Sequence, residues 1–347
     1  MLKDEIIKSF VQLGSVLDYL SSSDLNNNVP FPLTQELIEE FNHCVKYQKR
    51  TNGWFTEENV RLAIKNHAIN LTDKKLNDWQ SEYGFAKSTK TVLVIMAGNI
   101  PLVGFHDFIS VLMSGNRVMC KLSSDDSTLL PLIAEILLKI NPKFIERISF
   151  VAGVASGFDA VIATGSNNTI HQFRNYFKNH PKILRKNRTS LAVIRGDEDD
   201  KDFQRLGNDI FNYFGLGCRN VAHLILPNNF DLNRIFKNIT SFGDIIHHNK
   251  YANNYDYYRA IYMLNKVKFL ENNFVIFMQS MELNSPVSVL NYHYYDSQED
   301  IEKYLAQHNE SIQVIIGKDF TNFGNSQFPL WTDYADKIDT MQFLLDL

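Results

Sequence analysis

The chain has 347 residues, a length that suggests two domains or one large α/β domain with an elaboration. Hydrophobic residues make up 44% and charged residues 21%, a balance that is typical of a globular protein and excludes a disordered one. The formal net charge is −4, so the sequence has no basic field that would attract nucleic acid or an anionic membrane.

Targeting and cysteine usage both favour a cytoplasmic protein. The first twenty residues have the pattern of an amphipathic helix rather than a secretory signal, and no stretch reaches the roughly 20 apolar residues of a membrane span. The three cysteines are widely spaced and include no CxxC pair, which argues against a disulfide framework and against a cysteine-based zinc site.

Residues 1–90 are predicted as a mainly helical, polar segment. Thr56 precedes two acids and an apolar run, which predicts a helix N-cap at that position. The patch SSSDLNNN is predicted as a loop.

From Thr91 the pattern changes to short β-branched runs that alternate with helices. Strands are predicted at TVLVIMAG, RVMCKL, RISFVAG, DAVIATG and SLAVIRG, with helices over 103–113, 127–140 and 168–178. This alternation predicts βαβ units and a parallel sheet over residues 91–198.

A second, similar set follows over residues 199–320. Its predicted strands are VAHLILP, NNFVIFMQ, PVSVLNYHYY and SIQVIIG, separated by helices near 200–214, 230–240 and 298–308. The predicted architecture is therefore α/β, with two related open parallel-sheet domains, a helical N-terminal segment and a C-terminal tail over 321–347.

Several common site motifs are missing. The sequence has no GxGxxG after a strand, no GxxxxGK[ST], no GxSxG and no HExxH. No metal site is expected, because His247 and His248 are adjacent and have no third ligand.

The segment FGLGCRN is the strongest local signal. Two glycines before Cys218 allow close approach of a bound group, and turn amides together with Arg219 favour a thiolate. The alternative is a buried cysteine in a glycine-rich turn; Cys44, in a predicted helix, and Cys120, in a predicted strand, are assigned to structure.

The second signal is AGNIPL, directly after the first strand. The Asn99 amide at a strand end is suited to donate to an oxyanion, because it can be aimed without carrying charge. An ordinary turn is the equally weighted alternative, since turns use Gly, Asn and Pro.

Together these segments resemble the aldehyde dehydrogenase superfamily, and most closely its LuxC-like acyl-CoA reductase branch. AGNIPLVGF, VMCKLSS, IATGSN, LGCRN and MELNSPVSV occur in the family's order, over about residues 91–318. Each motif is short, but five motifs in the family's order are much more specific for the family than any one of them alone.

The resemblance implies a nicotinamide-cofactor-binding domain over residues 91–198, a catalytic domain with the nucleophilic cysteine over 199–320, and roles for particular residues. In that family Cys218 would be the nucleophile, and its backbone N–H would form the oxyanion hole with Asn99. Cofactor-binding positions would be Lys121 at the adenosine ribose, Gly165 and Ser166 at the pyrophosphate, and Glu282 at the nicotinamide ribose. A solvated surface acid is the alternative for Glu282.

Two departures from the family pattern bear on the reaction. Residues 184–189 replace the E-L-G-G-K segment whose Glu activates water in hydrolytic members, so the resemblance implies acyl transfer or reduction instead. The basic residues of this stretch would attract an anionic substrate such as coenzyme A, or form a solvated loop. Ser124 stands near the place of the ribose-binding acid of NAD-preferring members, which favours NADPH, with NADH as the alternative.

The predicted function is reduction of a fatty acyl thioester to the aldehyde with NAD(P)H, through a covalent thioester on Cys218. Coenzyme A or acyl carrier protein would carry the acyl group, and the chain is compatible with a homodimer. The alternatives are a semialdehyde or acyl-phosphate dehydrogenase for small substrates and a non-catalytic scaffold subunit. His106 and His223 lie near the motifs, where core or turn histidines are favoured over proton donors.

Overall fold

Short runs of aliphatic and β-branched residues form the strands of two open sheets in this computed structural model, which describes residues 1–23 and 28–347. Each sheet belongs to one compact unit: unit 1 contains Met1–Lys186 and Leu330–Leu347, and unit 2 contains Asn187–Pro329. The predicted α/β class with two open sheets is confirmed. Within the predicted loop SSSDLNNN, residues 24–27 lie outside the described residues.

The strands of unit 1 are β1 (Thr91–Ile95), β2 (Arg117–Lys121), β3 (Ile148–Phe150), β4 (Ala160–Thr164) and β5 (Lys182–Arg185). All are parallel and lie in the order β3-β2-β1-β4-β5. Because the order runs outward from β1 in both directions, the carboxyl ends of β1 and β4 flank a topological switch point. Open α/β sheets bind ligands at such a point.

The helices of unit 1 before residue 187 are α1 (Lys3–Leu20), α2 (Gln35–Thr51), α3 (Glu57–Ala68), α4 (Asp73–Ser81), α5 (Phe105–Met113), α6 (Leu129–Ile140) and α7 (Asn167–Tyr176). The predicted N-cap at Thr56 is confirmed, since its hydroxyl accepts a hydrogen bond from the Asn59 amide. Phe10 and Leu13 of α1 are fully buried in the same core as Val92 and Val94 of β1. The N-terminal helices are therefore part of unit 1.

The two units divide between Lys186 and Asn187, whereas the sequence predicts a boundary after residue 198. The run SLAVI forms β6 (Thr189–Val193), which belongs to the second sheet. The four-residue strand β5 was not predicted, because two of its residues, Lys182 and Arg185, are basic.

The structure corrects the interpretation of the basic stretch 184–189 for Arg185 alone, since Lys186 is exposed and Arg188 half-buried. Arg185 is 5% exposed and forms a buried ion pair with Asp107, and it also donates to the Thr340 hydroxyl at 2.8 Å. A guanidinium held in this way neither attracts an anionic substrate nor belongs to a solvated loop.

The further strands of unit 2 are β7 (Val221–Pro227), β8 (Leu270–Glu271), β9 (Ile276–Gln279), β10 (Val289–Tyr295) and β11 (Ile312–Ile316). The sheet order is β11-β6-β7-β10-β9-β8, parallel except for the β8–β9 pair. The helices are α8 (Asp200–Phe211), α9 (Asn233–Asn238), α10 (Asn249–Leu264) and α11 (Gln298–His308).

The segment predicted as a C-terminal tail over 321–347 is divided between the units. Leu330–Leu347, with helix α12 (Thr340–Leu345), belongs to unit 1. Trp331 and Met341 are buried in the core of that unit, and Trp331 stacks on Trp79 with ring centroids 5.0 Å apart. Across residues 1–23 and 28–347, no helix is long and apolar enough to cross a membrane.

Candidate active site

The carboxyl edge of the first sheet collects five of the predicted site residues. Asn99 follows β1, Lys121 and Ser124 lie at and after the end of β2, and Gly165 and Ser166 follow β4. The loops after β1 and β2 touch, because a Cβ added at Gly98 would lie 2.7 Å from the Ser123 hydroxyl oxygen. Only glycine fits at that position without movement of the neighbouring loop.

The Asn99 turn is fixed from both sides. The Gly98 carbonyl accepts a hydrogen bond from the Asn52 side chain at 3.1 Å, and Asn52 is buried. On the other side, the Leu102 N–H donates to the Asp126 carboxylate at 2.7 Å. Asn99 itself is exposed between these two anchors.

Lys121 and Ser124 occupy one loop at the end of β2. The Lys121 ammonium donates to the Gly153 carbonyl at 2.6 Å, which ties this loop to the segment between β3 and β4. Ser124 is exposed. The structure thus presents a cation and a hydroxyl beside the switch point.

Gly165 and Ser166 begin helix α7. The Ser166 hydroxyl accepts from the Thr169 amide at 3.3 Å and caps the helix, while the Ser166 side chain remains exposed. The N-terminus of this ten-residue helix carries a partial positive charge beside the switch point. Such a terminus is suited to phosphate even though GxGxxG is absent.

Cys218 lies in unit 2, in the turn that follows α8 and precedes β7. Tyr213, Phe214 and Gly215 have φ values of 53°, 58° and 75°, so three successive residues adopt the left-handed region. Two of them are aromatic, for which this conformation is strained and persists only where the surroundings impose it.

Asn220 and Ser190 impose the conformation of the Cys218 turn. The buried Asn220 side chain donates to the carbonyls of Asp209 and Asn212 at 3.1 and 2.9 Å, and accepts from the Gly217 amide at 2.8 Å. The Ser190 hydroxyl donates to the Cys218 carbonyl at 2.9 Å. The backbone of Cys218 is therefore held in place while the residue is exposed.

The other two cysteines have different surroundings. Cys120 is fully buried in β2, and burial raises the pKa of its thiol, so it stays protonated. Cys44 is half-buried within α2, where its sulfur accepts from Gln48 at 3.1 Å. Of the three thiols, Cys218 is the one best placed to react.

Glu282 lies between β9 and β10, with an exposed side chain and an anchored backbone. Its carbonyl accepts from His223 Nδ1 and from the Asn291 amide, both at 2.9 Å. His223 Nε2 lies 2.6 Å from His293 Nδ1. Desolvation and the neighbouring His293 lower the pKa of His223 to about 3, so it is neutral at pH 7.

His223 and His106 are thus both engaged in structure. His106 Nε2 lies 3.1 Å from the Trp331 carbonyl, within unit 1. The predicted preference for structural histidines agrees with these contacts. In the described part of the chain, no group of three His, Cys, Asp or Glu side chains is placed to hold a metal ion.

Sequence analysis did not single out Asn52, Asp126, Ser190 or Asn220, which hold the two turns. In the two turns, their partners lie from three to 46 residues away in the chain. Asn220 lies within the motif FGLGCRN and Asp126 shortly after VMCKLSS, and these positions were the signal available.

The comparison with protein families decides the identity. The model of the acyl-CoA reductase (LuxC) family matches residues 18–237. The chain belongs to this family. It is an acyl-CoA reductase, an oxidoreductase acting on acyl groups, as the sequence motifs predict.

Solved structures show that the chain has the fold of the aldehyde dehydrogenases. The indole-3-acetaldehyde dehydrogenase AldA of P. syringae matches with a TM-score of 0.63 at 12% identity, over 91% of this chain and 72% of that one. Aldehyde dehydrogenase 21 of Physcomitrella patens gives a TM-score of 0.62 at 12% identity, over 99% and 88%. An acetylating aldehyde dehydrogenase of Geobacillus thermoglucosidasius gives 0.59 at 10% identity, over 91% and 76%. No curated protein sequence matches this acyl-CoA reductase significantly.

Proposed function

We propose that this acyl-CoA reductase acts through Cys218, which takes the acyl group from a fatty acyl thioester and holds it until reduction to the aldehyde. The observation that carries the proposal is the Cys218 turn. Its backbone is fixed by Asn220 and Ser190, while Cys218 itself is exposed.

The covalent step needs only groups of this chain and the substrate. The Cys218 sulfur forms a bond to the acyl carbonyl carbon, and the bond from that carbon to the carrier sulfur breaks, releasing the free thiol. Asn99 donates its side-chain N–H to the carbonyl oxygen as negative charge develops there, with the Cys218 backbone N–H as second donor. After reduction the bond between carbon and the Cys218 sulfur breaks and its electron pair stays on sulfur, which releases the aldehyde and a thiolate that takes a proton from water.

The edge of the first sheet fits a nicotinamide cofactor. A helix N-terminus with the exposed Ser166 suits a pyrophosphate, and Lys121 offers an ammonium for a ribose. The P. syringae dehydrogenase was solved in complex with NAD⁺, which supports the same cofactor class here. Glu282 is the proposed partner of the nicotinamide ribose. When bound, the cofactor supplies the hydride for the reduction.

We assign NADPH as the preferred cofactor, with NADH as the alternative. A carboxylate at the adenosine ribose would repel a 2′-phosphate, and position 124 carries an exposed serine instead.

Reduction is favoured over hydrolysis because the stretch 184–189 offers no acid to activate water. The nearby acid Asp107 is buried against Arg185, where it is occupied by the ion pair. The acyl-enzyme is thus expected to persist until it is reduced or transferred back to a thiol.

The remaining assignments rest on the sequence and the family. The acyl carrier is coenzyme A or acyl carrier protein, and a homodimer is the expected assembly. Three free cysteines fit a reducing cytoplasm.

Mass spectrometry tests the proposal directly. The protein is incubated without reductant with acyl-CoA thioesters of increasing chain length and then digested. We expect one acyl adduct, located on the peptide that contains Cys218, with the greatest occupancy for long chains.

Two variants control this experiment. Cys218→Ala removes the adduct and the reductase activity, whereas Cys44→Ala keeps both. An adduct that remains in Cys218→Ala, or undiminished NADPH-dependent reduction by that variant, would refute the role of Cys218.

A further inference from the structure

Asp126 is a buried acid beneath the Asn99 turn. It is 7% exposed, and one carboxylate oxygen accepts the Leu102 N–H at 2.7 Å. Among the described residues its other oxygen, Oδ1, has no hydrogen-bond partner. The hydrogen bond that the carboxylate accepts among these residues is thus from the turn that carries Asn99.

The turn requires this contact because of its backbone conformation. Leu102 has φ of 57°, in the left-handed region that leucine rarely adopts. A buried amide without an acceptor is unfavourable, so loss of Asp126 would release both the N–H and the conformation.

The surroundings of Asp126 are unfavourable for a charge. It lines a cavity of about 10 Å³, room for about one water, together with Met96, Leu102, Phe105, Leu122 and Leu130. Burial in this apolar pocket raises the pKa of Asp126 to about 6. Burial of a carboxylate in such a pocket is unfavourable, and what offsets it is the hydrogen bond from the Leu102 N–H. The acid therefore serves to hold the turn rather than to fill the pocket.

Asp126 also lies on the loop of the predicted cofactor residues Lys121 and Ser124. The Gly98 position is pressed against Ser123 of that loop, and Asn52 holds the Gly98 carbonyl from the opposite side. The hydrogen bond from the Leu102 N–H to the Asp126 carboxylate thus joins the turn after β1 to the loop after β2, beside the Gly98–Ser123 contact.

We propose that Asp126 is a positioning residue, which fixes the Asn99 amide relative to the cofactor loop so that the acyl oxygen meets its donor in one geometry. This inference rests on the oxyanion role proposed for Asn99. Asp126 touches neither the substrate nor the cofactor in this account.

The test compares two variants that keep the branched shape of the side chain. Asp126→Asn keeps an acceptor for the Leu102 N–H, whereas Asp126→Leu loses the acceptor. We measure the single-turnover rate of Cys218 acylation with a long-chain acyl-CoA, with KM for that substrate and the melting temperature. Asp126→Leu is expected to lower the acylation rate about 10–100-fold with little change in KM, and Asp126→Asn less than about fivefold.

A double-variant cycle shows whether the effect passes through Asn99. Asn99→Ala alone should lower acylation about 100–1,000-fold. If Asp126 acts through Asn99, adding Asp126→Leu to that variant gives little further loss. Equal losses by Asp126→Leu with and without Asn99 would overturn the inference.

Other outcomes separate the inference from the proposed function. Wild-type acylation by Asn99→Ala would overturn the oxyanion role on which both depend. A slow Asn99→Ala with a fast Asp126→Leu would overturn the role of Asp126 alone. If Asp126→Leu does not fold, the Asp126→Asn rate decides, since a loss as large as that of Asn99→Ala would overturn the positioning role.

Discussion

Asn220 is the side chain on which the exposure of Cys218 depends most directly. It joins the Gly217 amide to the carbonyls of Asp209 and Asn212, and so closes a turn that contains three left-handed residues. A turn with strained residues keeps its shape only while such contacts persist.

Asn220→Ala is therefore expected to lower both stability and acylation. Leaving these buried groups without partners should reduce the free energy of unfolding by about 2–4 kcal/mol. Acylation of Cys218 should slow more than tenfold, because small displacements of a nucleophile have large effects on rate. Urea unfolding and single-turnover mass spectrometry measure the two quantities. Asn253→Ala, on the exposed face of α10, is the matched control and should change neither.

Ser124 provides the second test at this scale. Ser124→Glu places a carboxylate where the 2′-phosphate of NADPH is proposed to lie, so the affinity for NADPH should fall at least tenfold relative to NADH. Fluorescence titration of both cofactors measures the ratio. Ser127→Glu, also exposed and on the same loop, should leave it unchanged, and an unaltered ratio in Ser124→Glu would place the phosphate elsewhere.

Among the secondary-structure elements, neighbouring strands β7 and β10 carry a buried histidine pair. His223 and His293 are 0% and 7% exposed and lie in hydrogen-bond contact. Desolvation is the main cause that lowers their pKa values, to about 3 for His223 and about 4 for His293. Both are therefore neutral in the folded protein over most of the acidic range.

This pair predicts that stability falls as the pH drops. The ordinary histidine pKa is 6.5, so between pH 6.5 and about 4 the unfolded chain binds more protons than the folded one. Stability is fully present above pH 6.5, and at pH 5 each buried histidine should remove about 2 kcal/mol. Urea unfolding at pH 7 and pH 5 tests this. His293→Gln should show a smaller loss, while the exposed His247→Gln should show the full one.

The elements themselves were largely predictable from local pattern. Predicted runs such as VAHLILP coincide with strands because they are short runs of mostly aliphatic and β-branched residues bounded by turn residues. Helix α10 was not predicted, although Tyr251, Tyr255, Tyr258 and Tyr262 follow helical spacing. Strand β5 was not predicted because the burial of Arg185 depends on an ion pair with Asp107, which is 78 residues away in the chain.

Fewer residues of the candidate site than of the secondary-structure elements could be predicted from the sequence. Motif order indicated Asn99 and Cys218, but Asn52 is 46 residues from the carbonyl that it holds, and Ser190 is 28 residues from Cys218. Contacts at such separations are set by the fold and leave no local periodicity in the sequence. The supporting residues therefore emerge only from the structure.

On the scale of the whole molecule, the chain leaves unit 1 at Lys186, forms unit 2 and returns to unit 1 at Leu330. The returning segment is anchored by Trp331, whose indole N–H donates to the Asn70 carbonyl at 2.7 Å and whose ring stacks on Trp79. Its carbonyl also lies 3.1 Å from His106 Nε2. Unit 1, which holds the proposed cofactor residues other than Glu282, is thus completed by residues from the far end of the chain.

Trp331→Ala is therefore expected to destabilise unit 1 although it lies 165 to 232 residues along the chain from the predicted site residues of that unit, Ser166 to Asn99. Loss of a buried indole, its stacking partner and its hydrogen bond should reduce the free energy of unfolding by about 3–5 kcal/mol. Thermal unfolding monitored by circular dichroism gives the size of the change, and NADPH titration below the transition tests the cofactor edge. The adjacent Leu330→Ala is the control, because Leu330 is 56% exposed and should tolerate truncation. Equal melting temperatures for the two variants would show that the C-terminal segment does not stabilise the core of unit 1.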